Sequence, residues 1–381
     1  MIRVMQIVHR LSMGGAEKLV YQYGKKINKE KFEVYILCIE NCHSIYDEDL
    51  KNENIKIIYI NDEIDKIINV GGVFQRVIRK LFRKYFFVKC VKKVQPDIIH
   101  THIFMNSLLK GINLSKNTVI FNTVHSDPDR YWFELGRNGK RDLKALMWIR
   151  DKYKLQIIAL HHDSKDRINQ ILEVTNTQVL NNGVEIKWLK QTKDKNTLKK
   201  EYAIQDRIII GHVGRLSEVK NQKLLIKAYA NIVDLIPDSK LWIIGDGDLL
   251  EDLKSLVDKL DIKEHVVFWG NRSDVYNLVK MMDLFVMPSY KEGISLAMIE
   301  CQVLETPMLI SDTISNYAII SNLVEMYDIN KSEQLWGNKI VELVNRKKSV
   351  PEYYNLEEWD INYNVKQLEK LYEEVIADGC Y

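Results

Sequence analysis

Cysteine is scarce in this chain of 381 residues. Cys38, Cys42, Cys90, Cys301 and Cys380 are odd in number and lack paired metal-ligand spacing, which argues against a disulfide framework or a cysteine-built zinc site and fits a reducing cytosol. No apolar run approaches the roughly 18 residues that a membrane span needs. The start, Met1-Ile2-Arg3-Val4-Met5-Gln6-Ile7-Val8, is too short an apolar run for a signal peptide and reads as a first β-strand. Internal repeats and low-complexity linkers are also missing. What is present is a hydrophobic content of 46%, enough for two ordinary cores, on a length that favours two or three domains.

The net charge of +3 hides an asymmetry: residues 1–185 carry 30 Lys and Arg against 21 Asp and Glu, and the remainder 25 against 31. A basic first half and an acidic second half point to an anionic partner for the first half and away from a simple nucleic-acid binder. Residues 73–93 concentrate the excess. There Arg76, Arg79, Lys80, Arg83 and Lys84 interleave with Val73, Phe74, Val77, Ile78, Leu81 and Phe82 at helical spacing. A basic amphipathic helix results, suited to an anionic membrane surface; the same pattern also serves a core-facing helix with a solvated basic back.

Along the chain, short apolar runs alternate with helical patterns. Val4–Val8, Val34–Cys38, Lys56–Ile60, Asp97–Thr101, Val119–Thr123 and Gln156–Leu160 read as strands of a mostly parallel sheet. A second series runs through residues 207–214, Lys240–Ile244, Val266–Trp269, Leu284–Met287 and Met308–Ser311, with helices expected over 220–235, 248–260, 274–282 and 295–304. Two Rossmann-like domains in tandem are predicted, joined near Asn181–Leu189. Segment 355–378 has helical periodicity and is expected to pack back on the first domain.

The most informative stretch is Tyr290-Lys291-Glu292-Gly293-Ile294-Ser295-Leu296-Ala297-Met298-Ile299-Glu300. A buried strand ends at Pro288, a glycine turn follows, and an apolar helix opens beyond it. Such a helix start offers unpaired N–H groups and partial positive charge to a phosphate, at the strand end where ligands of α/β sheets gather. Glu292 and Glu300 then flank that position and can bind hydroxyls on either side, the layout of a nucleotide sugar. Gly214-Arg215-Leu216-Ser217-Glu218-Val219-Lys220-Asn221 places an arginine fork and a lysine in another strand-to-helix turn, where the two cations can neutralise a diphosphate. Gly14 and Gly15 lead from the first strand into a helix without dinucleotide-site spacing. His125 follows the strand Val119–Thr123, but His100, His102, His161, His162 and His212 also lie at strand ends, and spacing alone does not choose among them. Asp127-Pro128-Asp129 and His161-His162-Asp163 are read as loop features, and no metal is predicted.

Taken together, Gly14-Gly15-Ala16-Glu17, His125, Asn182-Gly183-Val184, Gly214-Arg215-Leu216 with Lys220-Asn221, Gly245-Asp246-Gly247 and the Glu292-to-Glu300 spacing resemble the retaining glycosyltransferases of family 4, along nearly the whole chain and in order. Ile310-Ser311-Asp312-Thr313-Ile314 with Asn322-Leu323-Val324 is similar to bacterial enzymes that assemble capsule or exopolysaccharide. The resemblance implies an α/β GT-B fold, two Rossmann-like domains facing across a cleft, with an acceptor-binding domain at 1–187, a nucleotide-sugar domain at 188–354 and a returning helix at 355–381. It implies no cofactor and no essential metal. By similarity Arg215 and Lys220 grip the donor diphosphate, Glu300 the ribose and Glu292 the transferred sugar. Gly14 and Gly15 let backbone approach the phosphate, His125 lies beside the donor sugar, and Asn271 and Arg272 lie near the base. Gly214, Gly293, Ile294 and Ser295 complete the donor-binding set.

The expected activity is metal-independent, retaining transfer of a hexose or N-acetylhexosamine, with UDP the expected carrier, to an undecaprenyl-diphosphate-linked oligosaccharide at the inner membrane face. The protein would then be cytoplasmic and peripheral. The alternatives are a nucleotide-sugar epimerase of similar fold and a non-catalytic partner protein. The departure from the pattern at Gly293-Ile294-Ser295-Leu296-Ala297 prevents transfer of sugar specificity, and that at Leu304-Glu305 is read as structural variation.

Overall fold

The computed structural model describes residues 1–12, 14–347 and 350–377. The chain divides into two compact units, Met1–Gly183 with the segment from Ile361 onward, and Val184–Asp360. Their strands are short and apolar because parallel strands are covered on both faces, which replaces alternation by near-continuous Val, Ile and Leu. In the first unit β1 (Ile2–Val8), β2 (Phe32–Cys38), β3 (Lys56–Tyr59), β4 (Ile98–His102), β5 (Val119–Val124), β6 (Leu155–Ala159) and β7 (Gln178–Val179) form one parallel sheet in the order β3-β2-β1-β4-β5-β6-β7. In the second, β8 (Ile208–Val213), β9 (Ser239–Ile244), β10 (Val266–Gly270), β11 (Leu284–Met287), β12 (Met308–Ser311) and β13 (Val324–Tyr327) pair in the order β10-β9-β8-β11-β12-β13.

In both sheets the winding direction reverses beside the first strand, between β1 and β4 in one and between β8 and β11 in the other. Loops leaving two such strands turn away from each other, so each sheet has a crevice above their carboxyl ends. All the strands expected from the apolar runs form, within one or two residues of the expected ends. Two further strands escaped the pattern. β7 is only two residues long, and β13 is an edge strand whose Glu325 interrupts the apolar run.

The segment expected to be helical over 355–378 is a short 3₁₀ turn, Leu356–Trp359, followed by the helix Ile361–Ala377; residue 378 lies outside the described residues. The helix buries Ile361, Val365, Leu368 and Tyr372 in one apolar cluster with Val4, Val8, Phe32, Ile98 and Phe121 of the first sheet. Its last-turn return to the first unit is fixed at its start, where a Cβ on Gly183 would fall 2.6 Å from the Cα of Ile361. Among the described residues no helix is long and apolar enough to cross a membrane.

Candidate functional site

The turn after β8 and the turn after β11 hold each other in place. Tyr290 N donates to Val219 O at 2.9 Å, and the Lys220 ammonium lies 2.6 Å from Glu292 Oε1, with both side chains largely buried. Lys220 and Glu292, which the sequence assigned to the donor diphosphate and to the transferred sugar, are thus ion-paired at the β8/β11 switch point. Arg215 is exposed, and although its carbonyl accepts from Gln222 Nε2 at 2.9 Å, its guanidinium has no partner among the described residues, so it is the open cation of the pair Arg215 and Lys220.

The helix Leu296–Val303 opens directly beyond Gly293 and Ile294. Its N-cap is Ser295, whose side chain makes no capping hydrogen bond; Met298 N donates to the Ser295 carbonyl at 3.1 Å, and a helix start of this kind can receive an anion. One and a half turns on, Glu300 accepts a hydrogen bond from Tyr276 Oη at 3.1 Å, and Tyr276 in turn meets the edge of Trp188 with ring centroids 4.9 Å apart. Tyr276 carries no signal in the sequence; only the packing of the helix Val275–Met281 brings it to Glu300.

The glycines of the Gly245-Asp246-Gly247 turn have a steric cause. Gly214 N donates to Ile244 O and Leu216 N to Asp246 O, which draws the turn after β9 onto the backbone of the turn after β8. A Cβ on Gly245 would stand 2.1 Å from Gly214 O, at a φ of +128°, and one on Gly247 would stand 2.3 Å from Leu216 O. Only glycine tolerates both the approach and the backbone angle.

Arg272 is committed locally. Its guanidinium makes two 2.7 Å bonds to the Asp274 carboxylate and lies 5.2 Å over the ring of Trp269. That fork holds the Asp274 carboxyl down at about 2. Asn271, its neighbour, is exposed.

In the first unit Gly14 is the N-cap of the helix Gly15–Lys26, in extended backbone, so its value is the missing side chain rather than an unusual φ. His125 sits one residue beyond β5. Its Nε2 lies 2.8 Å from His102 Nδ1, His102 Nε2 lies 2.7 Å from Gln6 Oε1, and Gln6 Nε2 donates to Tyr372 Oη at 2.9 Å. Tyr372 Oη is 2.6 Å from His100 Nδ1, and His100 Nε2 is 2.7 Å from Thr123 Oγ1. Burial drives the His100 and His125 imidazoles down to about 3 and His102 well below its usual value, so all three rings are neutral at physiological pH. The signal for this cluster was the i, i+2 spacing of His100 and His102, which puts both on one face of β4. The hydroxyl of Tyr372, more than 240 residues from Thr123, could not be paired with them from spacing.

The basic helix spans Gly72–Val94 and divides along its length. Its second half buries Phe86, Phe87, Val91 and Val94 in the core, whereas Val73, Phe74, Val77 and Leu81 on the first half are exposed, Phe74 by 77% and Leu81 by 71%. Its five candidate cations are not equivalent. Arg79 is ion-paired with Asp65, Arg83 is half-buried, and Lys84 donates to the Lys110 carbonyl at 2.7 Å. Arg76 and Lys80 are exposed.

Two family patterns match the chain in succession: "Glycosyltransferase Family 4" over residues 13–188 and "Glycosyl transferases group 1" over residues 194–353. The chain belongs to glycosyltransferase family 4. This transferase is 26% identical over 336 residues, 84% of its own length and 82% of its relative's, to the UDP-Gal:alpha-D-GlcNAc-diphosphoundecaprenol alpha-1,3-galactosyltransferase of Escherichia coli. It is 22% identical, over 98% of its length and 99% of the relative's, to the capsular polysaccharide biosynthesis glycosyltransferase CapH of Staphylococcus aureus. Among solved structures it superposes on Anabaena HepE in complex with UDP with a TM-score of 0.72, at 15% identity, covering 98% of this chain and all of that one. The transferase therefore has the GT-B fold, and the staphylococcal relative is named for capsular polysaccharide biosynthesis.

Proposed function

We propose that the transferase moves a hexose or N-acetylhexosamine from a UDP-sugar to a sugar carried on a polyprenyl diphosphate, with retention of anomeric configuration and without a metal ion. The observation that carries this assignment is the uncapped start of the helix Leu296–Val303, flanked by Glu292 and Glu300 and joined through the Lys220–Glu292 pair to the turn after β8. The first-turn N–H groups and Arg215 receive the diphosphate, and Glu300, oriented by Tyr276, takes the ribose hydroxyls. Glu292 accepts from hydroxyls of the transferred sugar, while Lys220, ion-paired with it, adds positive charge for the leaving diphosphate. Catalysis is then positioning and leaving-group stabilisation, with no protein nucleophile required. His125 serves the transferred sugar, Gly14 and Gly15 the backbone approach to phosphate, and Asn271 the base side; Arg272, tied to Asp274, acts there through its stack on Trp269 rather than as a free cation.

The choice of UDP is supported by the UDP complex of the Anabaena protein and by the donor in the galactosyltransferase's name, and the lipid-linked acceptor by that same name. The exposed apolar stripe of the basic helix, with Arg76 and Lys80 beside it, suits an anionic lipid surface that would present such an acceptor, which supports a position at the inner membrane face. Binding of UDP, GDP and ADP, measured by calorimetry and thermal shift with EDTA present, tests the donor assignment. EDTA-insensitive stabilisation by UDP alone is expected. Preference for another nucleotide, or stabilisation that EDTA abolishes, overturns it.

A further inference from the structure

The hydrogen-bond chain behind His125 has a direction, and the Gln6 amide sets it. Because Gln6 Nε2 donates to Tyr372 Oη, its other end, Oε1, faces His102 Nε2 at 2.7 Å and can only accept. His102 must then carry its proton on Nε2. Being neutral, it has a lone pair on Nδ1, and the contact at 2.8 Å obliges His125 Nε2 to be the donor. What remains on His125 is Nδ1, a lone pair, buried and without a partner among the described residues.

We propose that Gln6, through His102, is a positioning residue that fixes His125 as its Nε2–H tautomer, so that Nδ1 is presented as a hydrogen-bond acceptor to a substrate hydroxyl; this rests on the assignment of His125 to the transferred sugar. Three further observations fit it. Gln6 and His100 are register partners on the adjacent strands β1 and β4, at the switch point of the first sheet. Both ends of the amide are used, so the side chain is held against rotation. The continuation through Tyr372 Oη, His100 and Thr123 Oγ1 is complete in the same direction: the hydroxyl gives its proton to His100 Nδ1, and His100 Nε2–H donates to Thr123 Oγ1. Turning the Gln6 amide over would reverse every donor and acceptor in the chain and make His125 Nδ1 a donor, useless toward a hydroxyl's proton but suited to its oxygen. A sugar hydroxyl bound by an acceptor keeps both oxygen lone pairs free, whereas one bound by a donor keeps one lone pair and its proton, so the direction decides how the hydroxyl pairs with its other neighbours.

The test uses the full-length protein labelled with ¹⁵N-histidine. Long-range ¹H–¹⁵N correlation spectra report which ring nitrogen carries the proton in each histidine, and the His125→Gln variant assigns the His125 signals. The wild type is expected to show His125 protonated on Nε2. Gln6→Met, which removes the acceptor at nearly constant volume, and Tyr372→Phe, which removes only the hydroxyl that orients the amide, are each expected to give mixed or Nδ1–H His125. Turnover is read as hydrolysis of whichever of UDP-glucose, UDP-galactose or UDP-N-acetylglucosamine the wild type consumes. It should fall about tenfold in Gln6→Met, the loss of one neutral hydrogen bond made in the transition state, with the UDP dissociation constant unchanged. An Nδ1–H tautomer in the wild type, or an unchanged tautomer in both variants, overturns the proposal. His125→Ala separates the two levels: if it retains full turnover, the assignment of His125 to the sugar fails, and if it is crippled while Gln6→Met keeps wild-type tautomer and turnover, only the role of Gln6 fails.

Discussion

In the proposed donor site Lys220 and Glu300 serve the same ligand in different ways, and their variants should differ accordingly. Lys220→Met leaves the Glu292 carboxylate, only 11% exposed, without its counterion. Stability in urea should drop by about 3 kcal/mol, and turnover at saturating donor should fall roughly 100-fold because the leaving diphosphate loses a cation. Glu300→Ala removes a group whose proposed work is ground-state binding, so the UDP dissociation constant should rise about tenfold with little change in stability. Equal effects on binding in both variants would argue against this division of labour. Gly245→Ala should be worse than either for folding of the second unit, since its Cβ meets backbone rather than a movable side chain; circular-dichroism melting reads this directly.

At the scale of elements, the basic helix shows how much of the structure was legible in the sequence. Its limits were read to within a residue, because the apolar period of 3.6 runs through the whole segment. Its division was not legible, since periodicity gives the apolar face but not what covers it, and here the core covers only the second half. Phe74→Glu with Leu81→Glu should therefore leave the melting temperature unchanged while abolishing sedimentation with phosphatidylglycerol vesicles. If the wild type does not sediment with such vesicles, the stripe has some other occupant. The same limit applies at the candidate site. Glycine turns, the two glutamates and the strand ends were visible because local backbone chemistry dictates them. The Lys220–Glu292 pair, the commitment of Arg79 to Asp65 and of Arg272 to Asp274, and the place of Tyr276 depend on which turns meet, and no local rule contains that.

For the molecule as a whole, the three neutral histidines of the first unit make its stability depend on acid. Their folded-state values lie below that of an unfolded histidine, about 6.5, so the unfolded chain binds protons first. Stability is complete above about pH 6.5 and is lost progressively as pH falls toward the folded values near 3. The second unit has His212 alone in this position, lowered by burial to about 4. Hydrogen exchange followed from pH 7 to pH 4.5 should show amides of β4 and β5 losing protection before those of β8 and β11; the reverse order would contradict the buried network. The return of the C-terminal helix adds a constraint in time. Tyr372 is made only after the whole of Val184–Asp360 has been translated, which takes on the order of ten seconds or more at ~5–20 residues per second. During that interval the first sheet stands on the ribosome with Gln6 and His100 lacking their shared hydroxyl and one apolar face uncovered. A nascent chain therefore cannot assemble the His125 network early, and the second unit has its opportunity to fold before the first is finished.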